Sequence, residues 1–551
     1  MSNINIRCKN TGKVVAVPLG STLSEVYELC GLQMEYGPVG ACINNKVQGL
    51  NYRFYNSKDV EFLDLHSHAG MQVYSRTLFF ILAKAVEDLY ADGQLLIEAG
   101  VSRGYYCYLA IGRPVTEADV RDLKNRMQQI IDADMRIHRI QCPIEEAVSL
   151  FRNRGMESKA QLLESQTNLY AYYYQLGDTV DYFYSCLLTS TGKIHLFDLQ
   201  QLDEGLLLRI PSEEDPSQLC DMPQQTKMLD AIREYHRWQY ILGVRTAGQV
   251  NAAIQSGRAT ELINISEALQ ERKIAKIADD IVDRGTKIVL IAGPSSSGKT
   301  TISKRLAIQM QALGLHPHII STDDYFVNRV DTPLDANGEY DFECIGAVDT
   351  TLFNLQMNQL LRGEDVDLPR YDFQKGERVY EGRRLRIGEE DIIILEGNHA
   401  LNPIMSHQIE EKDKYRVYVS ALTAIALDNH NYVPTADIRL LRRILRDYNY
   451  RGFTAKETIH RNPSVNAGED KWILPYQENA DATFNSALLY ELGVMRNQIL
   501  PILEQVNERD PEYAEASRLR KFLRYFTPVP ADQIPPTSLL REFAGGSSFS
   551  Y

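Results

Sequence analysis

Residues 287–303 read KIVLIAGPSSSGKTTIS: a short apolar run, a Gly/Ser loop and the start of a helix. Ile288, Val289, Leu290 and Ile291 are unbroken by polar residues, the pattern of a parallel strand covered on both faces. After the loop, Ile302, Leu306, Ala307, Ile308 and Met310 supply an apolar helix face. Between them Gly293, Gly298, Lys299 and Thr300 fit the spacing G-x-x-x-x-G-K-[ST]. Glycines let backbone N–H groups close around phosphate oxygens with no Cβ in the way. The helix N-terminus adds partial positive charge beneath the anion. Gly293, Pro294, Ser295, Ser296, Ser297, Gly298, Lys299, Thr300 and Thr301 are therefore the expected phosphate cradle. Lys299 is expected to reach the β- and γ-phosphates, and Thr300 to offer its hydroxyl to Mg²⁺. The bland reading, a Gly/Ser turn that binds nothing, leaves the flanking strand and helix unexplained.

From residue 287 onward, strand and helix patterns alternate, the signature of a doubly wound α/β parallel sheet. Strand candidates are 287–292, 317–321, 391–395 and 415–420. Ligands of such sheets sit at the carboxyl ends of the strands. Asp323 and Asp324 lie just past the second candidate, where an acceptor hydroxyl would lose its proton. Asp323 is the expected base and Asp324 the runner-up; without the nearby loop, a helix cap or surface turn would be the better reading. Glu396 ends the third candidate, where an acid can hold Mg²⁺ directly or through water. Its alternative is an exposed strand end.

Residues 435–450 read as a helix carrying Arg439, Arg442, Arg443 and Arg446, with Arg451 following. Positions 439, 442/443 and 446 share one face. Such a face could close over a triphosphate and neutralise charge developing in transfer; the competing reading is a solvated amphipathic helix. Arg383, Arg384 and Arg386 read as a solvated face. Tyr340-Asp341-Phe342-Glu343 and Arg370-Tyr371-Asp372-Phe373 combine rings that can stack on a base with carboxylates that can bond ribose hydroxyls. Taken alone, both runs would be loop anchors.

At 551 residues the chain exceeds one core, so two to four domains are expected. Its 44% apolar and 24% charged content is that of a globular protein. The densest apolar stretch, 78–86, is too short to span a bilayer. MSNINIRCKN has no signal-peptide core. Eight cysteines without a C-x-x-C pair indicate neither a zinc ribbon nor a disulfide scaffold. A cytoplasmic location, with no membrane partner, is the expectation. The net charge of −14 argues against a broad nucleic-acid surface.

Residues 1–65 alternate short apolar and polar runs around one helical stretch at 22–29, as a small α+β module would. Residues 66–255 mix helix and strand, with helices at 78–90 and at 116–134, the latter capped by Thr116. The tyrosine-rich stretch 170–184 looks strand-like near its end and reads as packing. Residues 256–286 form a connecting helix, and 287–527 hold the parallel sheet. From Pro528 four prolines and a terminal GGSSFSY suggest a loosely packed or disordered segment over 528–551.

Taken together, residues 287–505 resemble the uridine kinase and phosphoribulokinase family of phosphate-loop kinases. The matching motifs are GPSSSGKTT at 293–301, STDDYF at 321–326, YDFE at 340–343, PRYDF at 369–373, ILEG at 394–397 and LRRILRDYNYRG at 441–452. The resemblance implies a five-stranded parallel core, an arginine-bearing lid, and transfer of the γ-phosphoryl of ATP, with Mg²⁺, to a nucleoside 5′-hydroxyl. It makes Asp323 the base and Glu396 a magnesium partner, places Tyr371 and Phe373 at the nucleobase and Glu343 at the ribose, and has Arg446 and Arg451 act from the lid. The chain differs from the family's uridine–cytidine kinases in having Glu343 for Asp, Gly376 near a base-contacting His, and Phe453 for the last Arg of RGR. Family members are often oligomers, so a homo-oligomer is expected.

The front half resembles the start of threonyl-tRNA synthetases. Residues 1–65 look like a TGS module, a ubiquitin-like β-grasp, and His66-Ser67 with the following helix looks like the opening of the second additional, or editing, domain. That domain's pattern is H-x-x-x-H with a later C-x-x-x-H. Here Gly70 stands at the second His, Cys186 is the best candidate for the Cys, and Ser190 stands at its His, so aminoacyl-tRNA hydrolysis is not implied. His66, His68, Cys186 and His195 are the groups from which a different metal site would be built; isolated His and Cys are usually structural. No adenylation core follows. The expectation is a kinase for uridine or cytidine. The alternatives are a kinase for another small hydroxylated acceptor and an ATP-switched regulator whose front half binds tRNA weakly.

Overall fold

The computed structural model describes residues 3–334, 338–422 and 425–551. At the front, strands Asn3–Cys8 and Val14–Pro18 pair antiparallel, and Asn3–Cys8 runs parallel to Lys58–Leu63. Gly40–Ile43 and the short Lys46–Gln48 complete a mixed five-stranded sheet. Helix Leu23–Cys30 lays Leu23, Val26 and Cys30 against it, its start fixed by a reciprocal Thr22–Glu25 capping box. The sheet and helix share one apolar core with Phe54 and Phe62.

Helix His68–Leu89 starts earlier than its apolar run because Ser67 caps it, accepting from the Gly70 amide. It is buried almost continuously from Gly70 to Val86. An antiparallel sheet of Gln94–Val101, Gly104–Ala110, Gly205–Arg209 and Asp198–Leu202 packs with it. Thr116 and Asp119 form the capping box of helix Glu117–Asp132. The tyrosine stretch becomes strands Tyr170–Leu176 and Thr179–Asp181, which pair with each other, the first pairing also with His138–Pro143.

Helix Ala259–Arg284 then feeds strand Ile288–Ala292, the centre of a parallel sheet. The order is His316–Ser321, Asp391–Glu396, Ile288–Ala292, Lys414–Ser420, Ala482–Asn485. The four strand candidates are present with ends shifted by at most one residue. Ala482–Asn485 escaped the sequence reading because four residues with one buried apolar side chain carry almost no pattern. Hairpin Val366–Asp372/Glu377–Leu385 stands outside this sheet.

One finding corrects the sequence reading. Residues 528–551 are not loose: Val529, Ile534, Leu539, Leu540 and Phe543 are buried in the main core. Apolar spacing outweighs the proline and glycine content there. The halves are also joined by buried ions. Lys159 Nζ lies 2.6 Å from Asp181 and 2.8 Å from Asp428, and His430 Nδ1 lies 2.6 Å from the other Asp181 oxygen. Burial alone would lower Lys159, yet Asp181 and Asp428 hold it above its ordinary value. Among the described residues no helix is long and apolar enough to cross a membrane.

Candidate functional site

Strand Ile288–Ala292 delivers the chain to Gly293, where a Cβ would lie 2.0 Å from the Val419 carbonyl oxygen. Only glycine fits that approach. Ser296 takes φ 60° and Gly298 φ 92°, so the loop curls through the left-handed region. Helix Lys299–Ala312 begins at Gly298 with no side-chain cap. The Ser296 and Ser297 hydroxyls are buried without a hydrogen-bond partner. Buried orphans of this kind are costly unless a ligand satisfies them, and they fit a loop built to receive an anion.

Lys299 Nζ donates to the loop's own carbonyls, Gly293 at 2.8 Å and Pro294 at 3.2 Å. Burial pushes its ammonium down, against Glu396, Asp323, Glu542 and Glu469. The Thr300 hydroxyl lies 3.5 Å from Glu396 Oε1. Strand pairing sets Glu396 beside Ser321 and Ile291, so the carboxyl ends of three strands meet here. A Cβ on Gly397 would lie 1.6 Å from the Thr322 hydroxyl, which shows how closely the chain after Glu396 meets that next to Asp323. Burial raises Glu396 to about 7, with Lys299 opposing and Asp323 adding. Asp323, though exposed at its surface, is also pushed up by desolvation from the surrounding walls, with Lys299 opposing and Asp324 adding.

The two adjacent aspartates have different partners. Asp324 accepts from Arg383 at 3.2 Å and from the Tyr371 amide at 3.4 Å, so it ties the hairpin to the sheet. Arg383, read as solvated, is 45% exposed and also anchors Asp324. No side chain bonds the Asp323 carboxylate among the described residues. Thr300, Glu396 and Asp323 offer the hard oxygens that suit Mg²⁺. No cluster of three or more His, Cys, Asp or Glu is poised for a metal among the described residues. Mg²⁺ typically takes one or two carboxylates and is completed by phosphates and water, which this donor set fits.

The arginine helix is observed as Thr435–Tyr450, but its expected cationic face is divided. Arg442 is fully buried, bonding Glu491 at 2.6 and 2.9 Å and the Ser486 carbonyl at 2.9 Å. It braces the loop from behind rather than facing a phosphate, its Nη1 lying 3.5 Å from the Ser296 and Ser297 carbonyls. Arg439 pairs with Glu469 at 2.5 Å, and Arg443 with Asn462 at 2.8 Å. Arg446 bonds Asp447 at 2.9 Å. Arg451 is 3.7 Å from Asp447; burial lowers its guanidinium, and Asp323 and Glu542 are among the charges that oppose this.

Phe326, Tyr371 and Phe373 form an aromatic cluster, with ring centroids 5.0 to 6.2 Å apart. The Tyr371 hydroxyl is buried and unpartnered, while Phe373 is 61% exposed. Glu343 packs on the helix Ala455–Trp472, where a Cβ on Gly468 would lie 2.6 Å from its own Cβ. Burial raises Glu343, with Glu469 adding and Arg443 opposing. At Gly376, φ is +74° and an added Cβ would lie 2.8 Å from Arg329 Nε. Arg329 Nη2 donates to the Phe373 carbonyl at 2.7 Å.

Three residues here were not singled out from the sequence. His399 is buried, held down to about 4 by burial, and its Nδ1 has no partner. Its place just after a strand's carboxyl end was the signal available. Glu469 accepts from the Ser295 amide at 2.9 Å. Glu542 accepts from the Thr301 amide at 3.2 Å and hydroxyl at 2.6 Å. Both carboxylates come from far along the chain, and nothing local marks them. In the front half, His66 and His68 turn to Glu213, His195 stacks on Tyr36 at 4.1 Å, and Cys186 lies by Arg76. They form no metal cluster.

An α/β phosphate-loop fold with a doubly wound parallel sheet is thus the class of the C-terminal half. The model of the phosphoribulokinase/uridine kinase family matches residues 288–489, so a domain of that family occupies this region. The uridine kinase of Deinococcus deserti is 28% identical over 174 residues, covering 32% of this chain and 74% of that protein. The N-terminal region is similar to threonine–tRNA ligases: that of Acetivibrio thermocellus is 28% identical over 187 residues, 33% of this chain. This chain spans only 29% of that ligase. A solved structure described as a possible uridine kinase from Bacillus stearothermophilus aligns over 39% of this chain and 97% of its own, with 20% identity and a TM-score of 0.27.

Proposed function

We propose that the protein is an ATP-dependent nucleoside kinase that phosphorylates the 5′-hydroxyl of uridine or cytidine. The observation that carries this is the meeting of the loop with Asp323 and Glu396 at adjoining strand ends. The loop amides and Lys299 hold the triphosphate. Mg²⁺, held by Thr300 and Glu396, would neutralise charge on the phosphates. Asp323 takes the proton of the acceptor hydroxyl as its oxygen bonds the γ-phosphorus; the bridging P–O bond breaks and ADP leaves. A carboxylate raised by its surroundings is a better base than an ordinary one. Arg446 and Arg451 stabilise the charge from the lid end. Tyr371 and Phe373 hold the base, and Glu343 the ribose.

The domain division used here, 1–65, 66–255, 256–286, 287–527 and 528–551, belongs to the same proposal, with the first module TGS-like and the second an editing-like domain lacking its metal pattern. A cytoplasmic location and a homo-oligomer are part of it too. The test is ATP-dependent phosphorylation across nucleosides and simple sugars, read by ADP release and product mass. Turnover of uridine or cytidine supports the reading. Saturation by a non-aromatic acceptor, with no nucleoside turned over, would replace it.

A further inference from the structure

A cleft of about 2000 Å³ lies between the two halves, behind the phosphate loop. Its walls include Pro294 but not Lys299, Asp323 or Glu396. One part of it is electrically closed: Arg518 bonds Asp437 at 2.6 and 2.7 Å and Glu515 at 2.6 Å, and His68 lies 3.0 Å from Glu213. Around Tyr184 it is not. Arg76 Nη2 donates to the Tyr184 hydroxyl at 3.0 Å, and Lys521 Nζ to the Tyr184 carbonyl at 2.5 Å. Arg139 lies over the Tyr172 ring, 3.8 Å from its centroid. Lys521, exposed to the cleft, is pushed down to about 8 by desolvation from the surrounding walls, with Arg139 and Arg76 adding, so it feels both guanidinium groups. None of them has a carboxylate in salt-bridge range among the described residues.

This chain has 73 Asp and Glu against 59 Lys and Arg, so acids are not scarce. Three cations gathered in one part of the cleft, none within salt-bridge range of a carboxylate among the described residues, leave a charge for a ligand to neutralise. We propose that this part of the cleft binds a small phosphate monoester. A dianion matches three cations better than a carboxylate does, and arginine forks suit phosphate oxygens. Tyr105, Tyr174 and Tyr184 line the same cleft and offer faces for the organic part. Arg76 and Arg139 come from the front half and Lys521 from helix Tyr513–Leu523, so the ligand bridges both halves.

Full-length Lys299→Ala protein removes the phosphate loop's contribution, and the substitutions in the cleft separate this site from the nucleoside site proposed at Tyr371 and Phe373. Calorimetric titration with uridine 5′-monophosphate and with inorganic phosphate should show binding. Arg139→Gln and Lys521→Gln, melting like the parent, should each weaken it at least about tenfold, the scale of one lost charge-assisted bond. Binding untouched by both substitutions, or no binding, overturns the proposal. So does salt-dependent binding of an oligoribonucleotide without terminal phosphates while both small probes fail, which would make the surface one for RNA.

A second observation stands independently. Residues 538–551 fold back on the phosphate-loop helix: Leu539 abuts Gly298, Glu542 occupies the Thr301 amide, and the Tyr551 hydroxyl lies 2.9 Å from the Thr301 hydroxyl. The Thr301 amide is a donor that a phosphate at this helix N-terminus would use. We infer that Glu542 acts as an internal anion that competes with the nucleotide, an inference that rests on the ATP reading above. Binding of ATP, rather than turnover, tests it. Glu542→Gln and Tyr551→Phe should tighten ATP binding several-fold. Unchanged or weaker ATP binding with intact transfer overturns this inference alone, whereas failure of parent and variants alike to bind ATP overturns both readings.

Discussion

The phosphate loop draws its groups from nine consecutive residues, 293–301, while the cleft behind it draws Arg76, Arg139 and Lys521 from three distant elements. In the loop, backbone geometry does the gathering: a glycine that admits the Val419 carbonyl and a left-handed Ser296 aim the amides inward. In the cleft, domain packing does it. The loop's donors are also partly taken, by Glu469 and Glu542, whereas Arg76, Arg139 and Lys521 have no carboxylate in salt-bridge range among the described residues. Local sequence can therefore specify a binding geometry, and only assembly decides what competes for it.

The sharpest break of this comparison is at Asp323. Asp323→Asn should cut transfer by ~10²–10⁴-fold, the usual worth of a general base, and leave ATP binding nearly unchanged. Turnover within a few-fold of the parent would remove Asp323 as the base. Next comes the brace behind the loop. Arg442→Met strands the buried Glu491 carboxylate and should cost about 3–5 kcal/mol in denaturant unfolding. A change below about 1 kcal/mol would mean that Glu491 finds another partner or a proton.

The acid at the proposed metal position predicts a pH dependence. Glu396 titrates near 7 when folded, above its ordinary 4.5. The fold thus favours the protonated form: this contribution to stability is full below about 4.5 and is lost as pH rises through about 7. Magnesium needs the carboxylate, so Mg²⁺-dependent stabilisation should grow over the same rise. Melting with and without Mg²⁺ from about pH 5 to 8 checks both trends, and Glu396→Gln should flatten them.

The smallest expected effect is at the acceptor. Tyr371→Phe removes a buried hydroxyl that has no partner, so stability should hold within about 1 kcal/mol. The KM for uridine should rise if the hydroxyl meets the nucleoside. An unchanged KM would confine Tyr371 to packing under Phe373.

The strands ending at Ala292 and Glu396 were legible as dense apolar runs, and those ending at Ser321 and Ser420 as shorter apolar runs in the same strand–helix alternation. Thr116 marked its helix because capping is chemistry within four residues. Ala482–Asn485 was too short to carry a pattern, and the packing of residues 528–551 was hidden by their proline content. The arginine helix shows the limit most clearly: spacing put its cations on one face, but a partner such as Glu491 decides which becomes a buried brace.

By itself, then, the sequence determined the loop, the order of the strands that flank it and the acids at their ends, since each follows from local periodicity and steric rules. Only the tertiary structure decided that Asp324 ties down a hairpin while Asp323 takes no side-chain bond among the described residues, that Lys159 bridges the halves, and that Glu469 and Glu542 sit on the loop. Those outcomes depend on pairing charges across long stretches of chain, where desolvation makes each buried ion seek whatever partner the packing brings within reach.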